Sequence, residues 1–107
     1  MEKLDFYING AWVKPSRSKT LDVINPATEE AVAKISLGSE VDVNLAVNAA
    51  KSAFDGYSQT PVAQRIELLT TIREIYKRRI ADVADAIQTE MGAPTSLARG
   101  AQAMVGL

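Results

Sequence analysis

The sequence predicts an α+β chain, a small β-meander followed by three helices, from three observations. Apolar residues alternate over residues 1–37, they recur at helical spacing from residue 39 onward, and turn-forming pairs punctuate the first part. The predicted organisation is a meander over 1–37 and a helical part over 39–107.

Phe6-Tyr7-Ile8 and Ala11-Trp12-Val13 flank Asn9-Gly10. Asn and Gly both tolerate the positive φ of a two-residue I′ turn, so these stretches form a hairpin. Lys14 to Lys19 is polar and contains a Pro, the composition of a loop. Leu21 to Ile24 reads as a strand closed by Asn25-Pro26, and Ala31 to Ile35 as its return.

Ser39 is the expected N-cap of a first helix, with Asp42 in the capping-box position three residues on. That helix should run to about Asp55, with Gly56 closing it in the left-handed conformation. At 100° per residue its apolar positions, Val41 through Phe54, sweep roughly 240° of the circumference, interrupted by Asp42. A helix apolar on so many sides needs several neighbours, and one small meander offers few. The second helix should start with Thr60 as cap and Pro61 at the first position, then continue for about thirty residues to Met91. Leu69, Ile72, Tyr76, Ile80, Val83, Ile87 and Met91 share one face, Gly92 and Pro94 stop the helix, and Glu74 and Arg78 form a favourable i,i+4 pair. A third helix begins near Thr95 or Ser96, with Leu97, Ala101, Met104 and Val105 as its apolar side. The apolar ending, Ala103 to Leu107, suggests that the natural chain continues.

Composition narrows the chemistry. The 107 residues carry 12 Lys and Arg against 13 Asp and Glu, a net charge of -1, and no Cys or His. Disulfides, thiolate nucleophiles, imidazole ligands and a Ser-His-Asp triad are therefore excluded from this chain. The near-neutral balance argues against a nucleic-acid partner, and no apolar run approaches the ~18 residues that span a bilayer. The first residues lack the basic stretch and apolar core of a secretory signal, so the chain is read as cytoplasmic. By size scaling, one domain of this length should bury roughly 65% of its unfolded surface.

Motifs of reaction chemistry are sparse. The glycines, at 10, 38, 56, 92, 100 and 106, form no phosphate-cradling cluster. Glu29-Glu30 is a solvated turn. Lys77-Arg78-Arg79 scatters around a helix holding five acids and five bases, a solvated face. Phe6, Tyr7 and Trp12 read as core or interface aromatics. Glu90 breaks its local pattern, falling at the edge of the apolar face where a carboxylate needs water, a hydrogen-bond donor or a cation.

Taken in order, several stretches resemble the N-terminal segment of the aldehyde dehydrogenase superfamily. They are Tyr7-Ile8-Asn9-Gly10 with Trp12, Val23-Ile24-Asn25-Pro26-Ala27-Thr28-Glu29, the Ala46 to Phe54 helix, and Glu90-Met91-Gly92-Ala93-Pro94. The resemblance runs from about Phe6 to Leu107. It implies an α/β architecture in which this chain is part of a coenzyme-binding domain with a scaffold role. It further implies an enzyme that oxidises aldehydes to carboxylic acids with NAD or NADP, through a Cys thiolate, an oxyanion hole and a Glu base. Those groups lie further along the family's longer chains, so the segment alone should be inactive and bind no cofactor. Its implied partners are the rest of the parent chain and further copies in a homo-oligomer. Some members hold a monovalent cation, and the matching positions here are Val23, Ile24 and Glu90. The competing reading is a non-catalytic helical interaction module that closes its apolar faces by self-association.

Overall fold

A computed structural model describes residues 2–107. Five strands precede the helices: β1 (Glu2–Lys3), β2 (Phe6–Ile8), β3 (Ala11–Val13), β4 (Thr20–Asn25) and β5 (Glu30–Ser36). The expected hairpin is present, with Phe6 opposite Val13, Tyr7 opposite Trp12 and Ile8 opposite Ala11. Asn9 at φ 53° and Gly10 at φ 78° supply the two left-handed residues of the I′ turn. The expected strand and return are β4 and β5, and their sheet has the order β1-β5-β4. Sequence analysis missed β1, whose two residues run parallel to β5 at Lys34 and Ile35. Two residues carry no legible period.

The helices are α1 (Glu40–Tyr57), α2 (Val62–Arg78), α3 (Ile80–Met91) and the short α4 (Thr95–Leu97). The last is prolonged by a π-helical turn (Ala98–Gln102) and a 3-10 turn (Ala103–Gly106). Three expectations need correction. The first helix passes Gly56 and ends with Ser58 as a right-handed cap, so that glycine closes nothing. Pro61 is the cap of α2, with Val62 the first helical residue. The expected thirty-residue helix is broken at Arg79, which leaves helical geometry at φ -108° and ψ 12°. No Gly or Pro marks that break. It lies where Lys77 and Arg78 close α2, cations that suit the negative end of its dipole. The basic run is thus a solvated helix end: Lys77 Nζ lies 2.8 Å from Glu74, and Arg79 Nε lies 3.0 Å from Asp82. Glu74 pairs with Lys77, one turn position nearer than the expected Arg78.

The chain divides into two compact units, described separately. One is the chain up to Val23 with Ala33–Thr60, and the other is Ile24–Val32 with Pro61–Leu107. In the first, Asp42 is buried and the ring of Phe6 lies near Gly38, where an added Cβ would be 3.7 Å away. The core of the second is built from Ala84, Ala98 and Ala103, small residues that let α3 approach the irregular last helix closely. Ala98 and Ala103 are five residues apart, the spacing of a π turn, so the buried side differs from the predicted one. Leu97, Ala101, Met104 and Val105 are exposed instead. Tyr76 Oη donates to the Ala103 carbonyl at 2.7 Å, Gln88 Nε2 to Thr95 Oγ1 at 2.8 Å, and Arg99 pairs with Asp85 at 2.8 Å.

No large side chain is fully buried among the described residues. The accessible surface is 8190 Å², against about 5,800 Å² for a compact monomer of this mass. The chain therefore buries about half of its unfolded surface, short of the roughly 65% expected from its length.

Candidate functional site

Of the three expected cation-site residues, Val23 is half-buried in β4 and belongs to the first unit. Ile24 and Glu90 belong to the second. Ile24 is exposed in β4, and Glu90 is exposed in the last turn of α3. The exposure of Glu90 resolves its awkward place on the helical wheel, because water solvates the carboxylate.

Around Glu90 the backbone is closely determined. Asn25 Oδ1 accepts the Ala27 N–H at 2.8 Å and the Asn25 carbonyl accepts the Glu29 N–H at 2.8 Å, an Asx turn after which Glu29 adopts φ 60°. Gly92, at φ 63°, ends α3 against this turn. A Cβ on Gly92 would lie 2.8 Å from the Ala27 Cβ and 2.9 Å from both the Ala27 nitrogen and Asn25 Oδ1. Only glycine fits both the angle and the space. The structure thus joins two stretches that the sequence presented sixty-five positions apart, Asn25-Pro26-Ala27 and Met91-Gly92. The last turn of α3 holds no base, so the negative end of its dipole and the Glu90 carboxylate lie together uncompensated.

A second polar cluster surrounds Asp42, all within the first unit. Its Oδ2 accepts the Ser39 N–H at 2.8 Å, closing the expected capping box. Its Oδ1 accepts the Ser16 N–H at 2.8 Å, which pins the Lys14–Lys19 loop to the start of α1. Ser16 Oγ lies 3.0 Å and Ser39 Oγ 2.9 Å from Oδ2, and the hydroxyls lie 2.6 Å from each other. Two hydroxyl protons serve these three contacts, so two carry a hydrogen bond at any moment. The Ser39 amide, then the Ser16 amide, hold the carboxyl down to about 2, against the opposing push of burial. So weak a base takes no proton from a serine near neutral pH, and the cluster is structural.

Two further concave surfaces are mostly apolar, while one beside Asp5, Lys14, Ser18 and Thr20 is mixed. A groove of about 430 Å³ lies between Phe6, Tyr7, Ile8 and the α1 residues Asp42, Val43 and Ala46. Another of about 430 Å³ lies at the α2–α3 break, lined by Ile72, Ile75, Tyr76, Arg79, Val83 and Ala86. Tyr7 and Trp12 form an exposed edge-to-face pair with centroids 5.2 Å apart, so they are not core residues. Among the described residues no group of three acids, His or Cys could hold a metal ion. Among the same residues no helix is long and apolar enough to cross a membrane.

This order of hairpin, Asn-Pro turn, Ala-rich helix and glycine-stopped helix has known counterparts. The model of the aldehyde dehydrogenase family matches residues 12–106. The chain belongs to that family. It is 49% identical over 104 residues to a 3-succinoylsemialdehyde-pyridine dehydrogenase of a Pseudomonas species, covering 96% of this chain and 22% of that protein. The crystal structure of an aldehyde dehydrogenase from Bartonella henselae superposes with a TM-score of 0.95 at 47% identity, covering 97% of this chain and 22% of that one. A mutant aldehyde dehydrogenase C from Pseudomonas syringae, complexed with NAD+ and octanal, gives 0.92 at 42% identity, over 94% and 21%. The chain spans about one fifth of the length of these relatives and corresponds to the family's N-terminal segment. Its α/β character is that of an aldehyde dehydrogenase segment.

Sequence reasoning found Asp42 as a capping residue and as a break in the apolar arc, but missed Ser16. Ser16 is one hydroxyl in a polar loop, and nothing in its local pattern signals a contact 26 residues away. By sequence Glu29 is a plain turn residue; its left-handed backbone is set by the Asx turn and not by its side chain.

Proposed function

We propose that this chain is the N-terminal scaffold of a cytoplasmic, NAD(P)-dependent aldehyde dehydrogenase that oxidises an aldehyde to a carboxylic acid, within its coenzyme-binding domain. The observation that carries the reading is the match of nearly the whole chain, in conformation as well as sequence, to one fifth of such enzymes. The segment itself is inert in this reading: it has no Cys for the thiolate step. Nor do its residues fit a dinucleotide. Its two positive-φ glycines are spent elsewhere, Gly10 in a hairpin turn and Gly92 against Asn25 and Ala27. Bracing is what its residues can do, through the Asp42 cluster and the Gly92 contact. The intact enzyme works as a homo-oligomer in this reading, which gives part of the bare apolar surface an occupant.

A cation role is a subordinate proposal. The dipole of α3 and the Glu90 carboxylate favour a monovalent cation beside the Ile24 end of β4. Val23 enters by the family resemblance alone. Glu90→Gln in the intact enzyme should then weaken the dependence of activity on potassium or sodium, and an unchanged dependence would reject the role.

The main reading is tested by following reduced nicotinamide with an aldehyde and NAD or NADP. The 107-residue chain should give none, whereas an intact chain carrying it as its first fifth should turn over. Turnover by the segment alone would refute the scaffold role, and an inactive intact chain would refute the activity.

A further inference from the structure

The geometry points to Asn9 as a site of spontaneous covalent modification, at which the side-chain amide is lost through a succinimide when the hairpin opens. The inference goes beyond the enzymatic reading and is independent of it. Ring closure needs an Asn whose side chain is unengaged, followed by a backbone N–H that is free and unshielded. The chain holds four Asn, at 9, 25, 44 and 48. Asn25 precedes Pro26, which has no N–H to give up, and its Oδ1 already accepts from the Ala27 N–H at 2.8 Å. Asn44 and Asn48 lie inside α1, where the next amides, of Leu45 and Ala49, are held in the helical ladder. Asn9 alone is followed by glycine, which puts no side chain in the way. Both residues of that pair are exposed. Among the described residues neither the Asn9 side chain nor the Gly10 N–H has a hydrogen-bond partner.

The native turn guards this site without sealing it. The first central residue of a I′ turn has ψ of about +30°, which holds its Cβ and the next nitrogen on roughly opposite sides of the Cα–C bond. Attack therefore waits for the turn to unwind. The hairpin permits that, because β2 and β3 have three residues each and form a two-stranded sheet of their own. β2 rests on α1, whereas β3 holds chiefly to β2, and its Trp12 is 71% exposed. In the open turn the Gly10 nitrogen gives its proton to solvent base and bonds to Asn9 Cγ, and the side-chain nitrogen leaves as ammonia. Water then opens the ring. Breaking the new N–Cγ bond gives aspartate; breaking the original peptide bond gives isoaspartate. Either product adds one negative charge. Asp-Gly suits a I′ turn, so the first keeps the hairpin. The second carries an extra backbone atom and loses the register that sets Tyr7 opposite Trp12.

The test ages an intact enzyme carrying this chain as its first fifth in mildly alkaline buffer, both folded and in denaturing urea. Peptide mass spectrometry then locates the aspartate and isoaspartate products. Conversion at Asn9 is expected in the folded enzyme, ahead of Asn25, Asn44 and Asn48, and slower than in urea. Trp12→Ala removes the edge-to-face pair, whose centroids lie 5.2 Å apart, and should speed conversion by about two- to tenfold in the folded enzyme but not in urea. Should that variant fail to fold, sub-denaturing urea on the wild type should raise the folded rate progressively. An Asn9 that stays intact while the enzyme is folded would overturn the proposal. So would faster conversion at another of the four, a folded rate equal to that in urea, or a rate unmoved by Trp12→Ala or, in its place, by urea.

Discussion

At the start of α1 a carboxylate is buried with both oxygens occupied, whereas along α2 six large apolar side chains stand open to water. The polar problem is closed locally, by amides and hydroxyls from residues 16 and 39. The apolar one is closed only in part by the described residues. Hydrogen bonds must be satisfied wherever a polar group is buried, so a segment carries its own partners for them. Apolar burial is additive over area and can be supplied by another body. The contrast separates what the described residues satisfy among themselves from what they leave open.

Substitutions can break or sharpen that contrast. The largest effect should come from Gly92→Ala, a locally closed contact. The left-handed backbone and the collision with Asn25 and Ala27 should cost about 2–4 kcal/mol, read as a drop in the denaturation midpoint. A loss below about 0.5 kcal/mol would show that the Asx turn and α3 do not depend on each other.

Asp42→Asn comes next. Whichever way its amide is turned, its NH2 faces a backbone N–H, of Ser16 or of Ser39. The same group sets an acid limb. Because the folded carboxyl titrates at about 2, below its ordinary 3.8, its stabilisation is complete above pH ~4. It fades as pH falls from there through about 2. Wild type should lose stability over that interval more steeply than Asp42→Asn, and parallel curves would remove Asp42 from the account.

The smallest effect should be at the open face. Leu69→Gln in the lone chain should change stability by less than about 0.5 kcal/mol, although Leu69 sits on the apolar side of a long helix. A loss of 2 kcal/mol or more, the cost of a core leucine, would mean that the face is covered.

Legibility followed sequence separation instead. The hairpin, both strands of the Asn-Pro turn, the Ser39 capping box and the Gly92 stop were readable, because each is set by residues within a few positions. The break at Arg79, the π turn and the Ser16 latch were not. The break has no Gly or Pro, the π turn serves the packing of Ala98 and Ala103, and Ser16 acts across 26 residues. Glu90 was flagged by its helical angle, yet its neighbourhood comes from the fold that brings Gly92 to Asn25. The excess of apolar helix surface over available neighbours was legible as well, and the exposure of α1 and α2 bears it out.

The central claim is that these faces are shaped for cover by a larger aldehyde dehydrogenase body. Titrating an apolar-surface dye onto the chain, alone and as the first fifth of an intact enzyme, tests it most directly. Strong fluorescence from the chain alone, and much weaker fluorescence from the intact enzyme, is the predicted result. A lone monomer that leaves the dye dark would contradict it.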